Sequence, residues 1–589
     1  GDGGAYWEDE AGADARVAAM DRTSQIRLAA AEELDSIASW MKPLLHSDET
    51  PFQEAWHNLE LADDYVWSDA DSMRRPYSYR TQYEEDVHRG YAEDAYRETR
   101  DLLTVAMDKI SELILTNKPG VVVFNTGSRQ RNGFFNFELE PDEALQDPAT
   151  GRMMPCGSLK SLDGYQTVRC WASEIPAMGY KFYSITRNKM MPRGEKIVLS
   201  GLGDLIDGRF YKLQLDPHTG AISHLVDKET GRDLVNLSSG YELNEYLYVT
   251  GGDPTGYYHG AEHSGNEDDR LLAANPTLPV PQLAIYRQAL VGSPLVERFP
   301  WGIVITIRAQ APNTPEIVST ITLNDEKKAV YFDNEVEKTA TLKKEGVYFA
   351  FPFSLENPEV EYQGATAWVN PETDMLPGAN RQWFSTQGGV WVRGTNDSVG
   401  WVSVDAPLIT LEDINRGLWP NSIQIRNGAV FSYVMNNYWY TDAPAQQGGH
   451  FRFRYALTSG PDVSALDTAY LTERMRSPLY VIRHYHKEWK QVLPEGGMGF
   501  LNISPVGAVI LAIQQLKGHN AYLIRVQNTT REAVTADLKF RSGKLEQAYL
   551  ASVIGDQTGS VNWSADDVQV PLLRYDIKTL VVRLVSNQN

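Results

Sequence analysis

The pattern of apolar residues changes once along this 589-residue chain, near residue 117, and this change limits the folds open to it. Before it, apolar residues recur every three or four positions, the spacing that puts them on one face of an α-helix. After Pro119-Gly120, short runs rich in β-branched and aromatic residues are separated by Gly, Pro, Asn and Asp. The sequence therefore predicts a helical part followed by a long β part.

The helical part contains three amphipathic segments with short connections between them. The first runs from Asp14 and ends near Pro43, the second starts at Thr50-Pro51, and the third ends at Asn117, just before a Pro-Gly pair. Helices joined by short loops pack as antiparallel neighbours. We therefore predict a three-helix bundle.

The β part has many strand-like segments, such as "GVVVFNTGS" and "HFRFRYALTS", with no helices placed regularly between them. This order excludes β-α-β units and favours packed antiparallel sheets. A brief helical signal over residues 471–489 is interpreted as an irregular link. The predicted fold class is multidomain α+β, with a three-helix bundle followed mostly by antiparallel β-sandwich domains.

Charge and hydropathy exclude several classes of function. The chain carries 55 Lys and Arg against 77 Asp and Glu, a net charge of −22. Such a chain repels nucleic-acid phosphates and anionic lipids, so we expect neither as a partner. No apolar run reaches the roughly 18 residues that a membrane-spanning helix needs.

Cysteine usage does not decide the redox compartment. Cys156 and Cys170 are the only cysteines, and they could either form a pair or both stay reduced. Two cysteines fit neither a disulfide-rich scaffold nor a zinc site with four cysteine ligands.

Three stretches of the β part carry a resemblance to a known family: "VVVFNTGS" followed by "EIPAMGYKFYSI", then "RFYKLQLDPHTGAISHLVDKETGRDLV", then "VMNNYWYTDAPAQQGGHFRFRYALTS". They resemble α-mannosidases of glycoside hydrolase family 38, of the bacterial type. In order, they resemble the small β domain of these enzymes, the first hairpins of their large sandwich, and a loop of that sandwich with the strand after it. The resemblance implies a large galactose-mutarotase-like sandwich and smaller β domains.

The resemblance also implies a domain order, in which the chain matches the C-terminal two thirds of these enzymes and most of the catalytic barrel is absent. The opening "GDGGAYWED" resembles the stretch that ends the barrel. The implied domains are the barrel end (1–10), the three-helix bundle (11–117), a small β domain (118–200), the large β-sandwich (201–470), and a linker with a C-terminal β domain (471–589).

The opening stretch also holds the candidate catalytic residues. Retaining glycosidases use two carboxyl groups about 5–5.5 Å apart, one as nucleophile and one as acid/base. By resemblance, the acid/base lies in "YWED", so Asp9 and Glu8 are the catalytic candidates, and Tyr6 and Trp7 are candidate substrate contacts. Burial against these rings, with other carboxylates nearby, would raise the pKa of such an acid. Alternatively, Asp9 and Glu10 merely charge the first turn of the next helix.

The resemblance further implies zinc, with one histidine ligand in the helical part. The matching stretch here is "LELADDYVWSD", in which Tyr65 stands at the histidine position. A phenol with a pKa near 10 is a rare zinc ligand. Asp64 is therefore the candidate cation ligand, Asp63 and His57 are alternatives, and we expect weak zinc binding.

The loop "MNNYWYTDAPAQQGG" supplies the remaining candidate contacts. Asn436, Asn437, Tyr438 and Trp439 offer amide groups beside flat aromatic faces, which suits a sugar-binding rim. The alternative interpretation is a wide β connection that ends at the Gly pair.

One motif suggests a different enzyme class. His259 to His263 spell H-x-x-E-H, a zinc-peptidase pattern that needs a helix. The surrounding Gly, Pro and Asp argue against a helix. The H-x-D at His46 to Asp48 lies in a connection between helices and is interpreted as chance.

The preferred interpretation is therefore that this chain is part of a retaining α-mannosidase-like hydrolase that acts on α-mannosides of glycans. The chain alone would be an incomplete enzyme. Its partners would be a glycan substrate and either a barrel-containing chain or a preceding region that carries the nucleophile and an H-x-D metal pair. The alternatives are a non-catalytic carbohydrate-binding or assembly subunit and, much less favoured, a zinc peptidase. The sequence does not decide between bacterial cytoplasm, periplasm and secretion.

Overall fold

The computed structural model describes residues 4, 6–45, 48–64, 72, 75–162, 164–199, 201, 203–251, 283–414, 420–438, 443–485, 492–516 and 520–585. Its α-helices are α1 (Ala15–Met41), α2 (Thr50–Asp63), α3 (Tyr79–Ser111) and α4 (Ala465–Arg476). Short 3-10 helices lie at Tyr6–Gly12, Pro43–Leu45 and Leu237–Ser239. No described helix is both long and apolar enough to span a bilayer.

The strands follow the predicted order of short segments. Those before residue 230 are β1 (Gly120–Asn125), β2 (Arg131–Leu139), β3 (Ala144–Gln146), β4 (Cys156–Leu162), β5 (Tyr165–Ile175), β6 (Gly179–Thr186), β7 (Glu195–Ile197), β8 (Ile206–Asp207), β9 (Tyr211–Leu215) and β10 (Ile222–Asp227). The next are β11 (Glu245–Gly251), β12 (Leu283–Arg287), β13 (Ala289–Leu290), β14 (Leu295–Phe299), β15 (Gly302–Ala311), β16 (Thr314–Asn324), β17 (Val330–Lys338), β18 (Glu345–Pro352), β19 (Glu359–Gln363), β20 (Trp368–Val369), β21 (Phe384–Ser385), β22 (Gly389–Arg393), β23 (Ser398–Ser403), β24 (Leu408–Leu411), β25 (Ala429–Asn436) and β26 (Gly449–Gly460). The last are β27 (Tyr480–His484), β28 (Met498–Gly499), β29 (Leu501–Ser504), β30 (Ala508–Gln515), β31 (Ala521–Asn528), β32 (Val534–Phe540), β33 (Leu545–Ala551), β34 (Gln557–Ser560), β35 (Asn562–Trp563), β36 (Asp567–Leu572) and β37 (Ile577–Leu584).

Two extended sheets form the large sandwich. One has six strands in the order β12-β11-β18-β25-β24-β21, and the other has eleven, in the order β20-β19-β22-β23-β26-β17-β16-β15-β14-β7 with β13 beside β15. Aromatic rings from both sheets meet in the core, where Phe351 of β18 lies 4.9 Å from Tyr455 of β26 between ring centroids. The small sheet β10-β9-β8 contributes to the same core.

Two further sandwich-like pairs of sheets complete the β part. The small β region consists of the sheet β27-β1-β6-β28, with β3 beside β6, and the sheet β2-β5-β4. The C-terminal sandwich consists of β29-β32-β36-β35 and β30-β31-β37-β33-β34. The strand pairs of all these sheets are antiparallel, and no barrel closes among the described residues. The multidomain α+β prediction is confirmed.

The predicted irregular link over 471–489 was wrong in its described part. Residues up to Arg476 form α4, whose Ser464 and Asp467 make a reciprocal capping box. β27 then pairs antiparallel with β1, so this late segment completes a sheet begun near residue 120. The domain boundaries given above stay a prediction.

The two cysteines form a disulfide. Cys156 of β4 and Cys170 of β5 lie directly opposite each other in the ladder, with their Cα atoms 4.0 Å apart. This settles the alternatives that the sequence left open in favour of a bonded pair.

Helix α1 connects the bundle to both sandwiches. It packs along α3, and Asp14 caps it by accepting a hydrogen bond from the Val17 amide and pairing with Arg89 Nε at 2.8 Å. Near its start, the buried Arg22 donates hydrogen bonds to carbonyl oxygens of the large sandwich. Near its end, Trp40 Nε1 donates to Ser542 Oγ of the C-terminal sandwich at 3.0 Å.

Candidate functional site

The N-terminal segment lies on the large sandwich, against β24 and β25. Asn436 Nδ2, at the end of β25, donates to the carbonyl oxygen of Asp9 at 2.6 Å. Gln447 Nε2 donates to the carbonyl oxygens of Gly12 at 2.6 Å and Asn436 at 2.8 Å, and its Oε1 accepts from the Ala15 amide at 3.1 Å. We call Asn436 and Gln447, with the segment 9–15 that they hold, the N-terminal clamp.

Glycine is required at position 12 by this clamp. A Cβ on Gly12 would lie 2.6 Å from Asn436 Nδ2, closer than atoms in contact can approach. A larger residue would therefore displace the amide that holds Asp9. The lack of a side chain at Gly12 thus lets the N-terminal segment lie close enough to Asn436 for the hydrogen bond to Asp9.

The two predicted catalytic acids differ in accessibility. Asp9 has 0% of its surface exposed, whereas Glu8 is partly exposed. Both lie in the first turn of the 3-10 helix Tyr6–Gly12. Asp9 and Glu10, the pair named in the alternative interpretation, do not lie in the first turn of α1, because α1 starts at Ala15 and has Asp14 as its N-cap. The side chains of Tyr6 and Trp7 lie outside the described part.

The predicted rim residues have structural partners. Asn437 is 1% exposed, its Nδ2 donates to the carbonyl oxygens of Thr341 and Lys343, both at 2.9 Å, and its Oδ1 accepts from the Glu345 amide at 2.7 Å. Asn436 is equally buried and Tyr438 is 2% exposed. These amides hold the loop to its neighbours, so sugar contact by these three residues stays a prediction that their burial does not favour. Trp439 lies outside the described residues.

The described residues do not form a zinc site. Asp64 is exposed at the C-cap of α2, and His57 is exposed on the same helix. Within the described ranges, no three side chains of His, Cys, Asp or Glu are grouped to hold a metal ion. Tyr65, the H-x-x-E-H motif at 259–263 and His46 lie outside these ranges, so the prediction of weak zinc binding stays untested.

A carboxyl pair that sequence reasoning missed joins α1 to the end of α2. Burial, followed by the neighbouring Asp63 carboxylate, raises the pKa of Asp21 to about 8. Burial also raises the pKa of Asp63, and Gln25 Nε2 donates to Asp21 Oδ2 at 2.9 Å. Near neutral pH the pair therefore holds a proton. No spacing in the sequence marks this pair, because it arises from the packing of two helices.

Comparison with solved structures identifies the architecture. No family model matches the sequence, and no curated protein matches it. An α-mannosidase from Enterococcus faecalis V583 superposes with a TM-score of 0.70 at 13% identity, over 98% of this chain and 68% of that one. The chain has a glycoside hydrolase family 38-like fold. A second Enterococcus faecalis structure, of a protein in glycosyl hydrolase family 38, gives 0.69 at 14% identity, over 97% of this chain and 70% of that one.

The family 38-like fold confirms the resemblance drawn from the three β stretches. At this level of identity the likeness establishes the arrangement of helices and sheets. It does not transfer catalytic residues, since these depend on individual side chains.

Proposed function

We propose that this protein is part of an α-mannosidase-like glycoside hydrolase acting on α-mannosides of glycans. The observation that carries the proposal is the superposition with the enterococcal α-mannosidase over 98% of the chain. The N-terminal clamp adds to it, because it fixes an acidic segment against the large sandwich instead of leaving it loose.

Within this proposal, Glu8 is the acid/base. A proton donor must reach the glycosidic oxygen, so it must be accessible to substrate. Glu8 is partly exposed, whereas Asp9 is fully buried and its carbonyl oxygen is held by Asn436. Asp9 then acts as a positioning residue, keeping the backbone of Glu8 in place.

The nucleophile is proposed to come from outside the described residues. A retaining mechanism needs a second carboxylate about 5–5.5 Å from the acid/base. We propose that a barrel-bearing region, in the same polypeptide or in a partner chain, supplies it. Residues 1–589 alone should then fail to hydrolyse aryl α-mannosides.

The test measures hydrolysis of aryl α-mannosides by this chain alone and by the chain together with the barrel-bearing region, whether that region belongs to the same polypeptide or to a partner chain. The chain with its barrel should be active, and Glu8→Gln should lower kcat by about 10²–10⁴-fold. The loss should be smaller for aryl leaving groups of low pKa, because these need less protonation. Glu10→Gln, the neighbouring carboxylate, is the matched control and should stay near wild type.

Two results would overturn this proposal. If Asp9→Asn shows the dependence on leaving group and Glu8→Gln does not, then the acid/base is assigned to the wrong residue. If the protein with its barrel-bearing region binds α-mannosides and never hydrolyses them, then it is a carbohydrate-binding subunit.

A further inference from the structure

A cleft rich in arginine lies between the small β region and the eleven-stranded sheet of the large sandwich. Its volume is about 330 Å³, and it shares no lining residue with the N-terminal clamp. Five arginines line it, and we call it the arginine cleft: Arg131 of β2, Arg169 of β5, Arg452 and Arg454 of β26, and Arg474 of α4. Such a concentration of positive charge is unexpected in a chain whose net charge is −22.

Acidic side chains balance only part of this charge. Arg452 Nε donates to Asp333 Oδ1 at 2.7 Å, and Arg454 Nε donates to Asp405 Oδ2 at 3.0 Å. Arg131 instead donates to the carbonyl oxygens of Ser477 at 2.7 Å and Pro478 at 3.2 Å, and the nearby Glu473 carboxylate offsets part of its charge without forming an ion pair. Among the described residues that line the cleft, Asp333 is the only acid.

Several guanidinium donors have no acceptor. Nε of Arg131 and Nε of Arg169 are both buried, and neither has a hydrogen-bond partner among the described residues. Arg474 makes no hydrogen bond or ion pair within the described ranges, and it is only half-buried. Buried donors without acceptors are costly, and cationic donors most of all, so the arrangement favours a bound anion.

The cleft is also built to hold its arginines in place. The Arg169 guanidinium lies 4.2 Å from the centroid of the Phe134 ring, and Arg131 is anchored to the chain that follows α4. Burial lowers the pKa of Arg169, the Asp333 carboxylate opposes this shift, and the nearby Arg452 adds to it, so Arg169 lies among charges of both signs. Side chains fixed in this way lose little entropy when a ligand arrives.

We propose that the arginine cleft binds a doubly charged tetrahedral oxyanion, phosphate or sulfate, either free or as the ester of a sugar. Three of the arginines form no ion pair among the described residues: Arg131, Arg169 and Arg474. They come from two strands and one helix, so their donors approach from different directions. Four tetrahedral oxygens can accept from all three, whereas the two oxygens of a carboxylate match a single guanidinium fork. The proposal does not depend on the hydrolase activity.

The test is calorimetric titration of the 589-residue protein at neutral pH and low chloride, with sodium phosphate, sodium sulfate, a hexose 6-phosphate and sodium acetate. Phosphate and sulfate should bind, and acetate should bind at least about tenfold more weakly. A hexose phosphate that binds more tightly than inorganic phosphate identifies a sugar ester as the ligand. Equal binding identifies the free anion.

Variants separate a specific site from general charge. Arg474→Gln should weaken phosphate binding about tenfold or more, and Arg474→Lys should restore part of it, since the charge returns without the planar fork. Arg574→Gln makes the same charge change at an exposed position of the C-terminal sandwich and should leave binding unchanged. Unchanged urea midpoints would show that both variants fold.

Two outcomes would overturn the proposal. One is that phosphate and sulfate both bind with dissociation constants above about 10 mM, an affinity too weak for a preformed site. The other is equal weakening by Arg474→Gln and Arg574→Gln, which would mean that only the net charge matters.

Discussion

Replacing Gln447 with alanine should release the N-terminal segment from the large sandwich. The side chain is 7% exposed and makes three hydrogen bonds to backbone groups, those of Gly12, Asn436 and Ala15. Alanine leaves two carbonyl oxygens and one amide without partners, at about 1–3 kcal/mol each, or about 3–9 kcal/mol together. Water entering the gap would move the loss of stability toward the lower figure.

The neighbouring glutamine provides the matched control. Gln446 makes one 3.4 Å hydrogen bond, to the hydroxyl of the exposed Tyr77, so Gln446→Ala should change stability by less than about 0.5 kcal/mol. Gln447→Glu should be at least as harmful as Gln447→Ala. It keeps an acceptor for the Ala15 amide but places a carboxylate against two carbonyl oxygens.

The assay combines urea unfolding with hydrogen exchange over residues 6–17, because the N-terminal segment should open locally before the whole protein unfolds. The expected result is faster exchange in that segment for Gln447→Ala alone. If Gln447→Ala and Gln446→Ala unfold at the same urea concentration and protect residues 6–17 equally, then the clamp does not hold this segment and our account of it is wrong.

Two further predictions concern the carboxyl pair and the disulfide. Because the pKa of Asp21 is raised from 3.8 to about 8, folding takes up a proton between these values, and the free energy of unfolding should fall as pH rises through this window, by at most about 1.4 kcal/mol per unit. Asp21→Asn should flatten this pH dependence of stability, measured by urea unfolding between pH 5 and pH 8. The control Asp101→Asn, at an exposed position, should leave the pH dependence unchanged. If the pH dependence survives Asp21→Asn, then other groups cause it. Reducing the Cys156–Cys170 bond, which joins residues 14 apart, should lower stability by about 3 kcal/mol, measured as the difference in unfolding with and without reductant. A Cys156→Ala, Cys170→Ala protein as stable as wild type would show that the bond is dispensable.

Local patterns predicted the elements of this fold well. Apolar spacing and the stop near Pro43 marked α1, which ends at Met41, and alternating residues marked the strands of the large sandwich. Local patterns could not predict the pairing of β27 with β1, because it joins residues as distant in the chain as Phe124 and Tyr480. Periodicity within a segment carries no information about such a distant partner.

The candidate site was harder to predict for the same reason. Asn436 lies in a stretch rich in Asn, Tyr and Trp that suggested solvent and sugar, yet its partner is the carbonyl oxygen of Asp9, 427 positions earlier. Asp21 and Asp63 each look like ordinary surface acids until two helices bring them together. What an amide or a carboxylate does depends on what faces it, and long-range packing decides that.

The contacts of α1 have a consequence for how the protein is made. Trp40 reaches Ser542, which follows it by 502 positions, and Ser39 reaches Tyr522. At about 5–20 residues per second, the ribosome needs about 25–100 seconds to supply those partners after Trp40 has been synthesised. During that interval the apolar end of α1 has no sandwich to cover it. Biosynthesis should therefore depend on a chaperone that shields this helix until the last strands emerge.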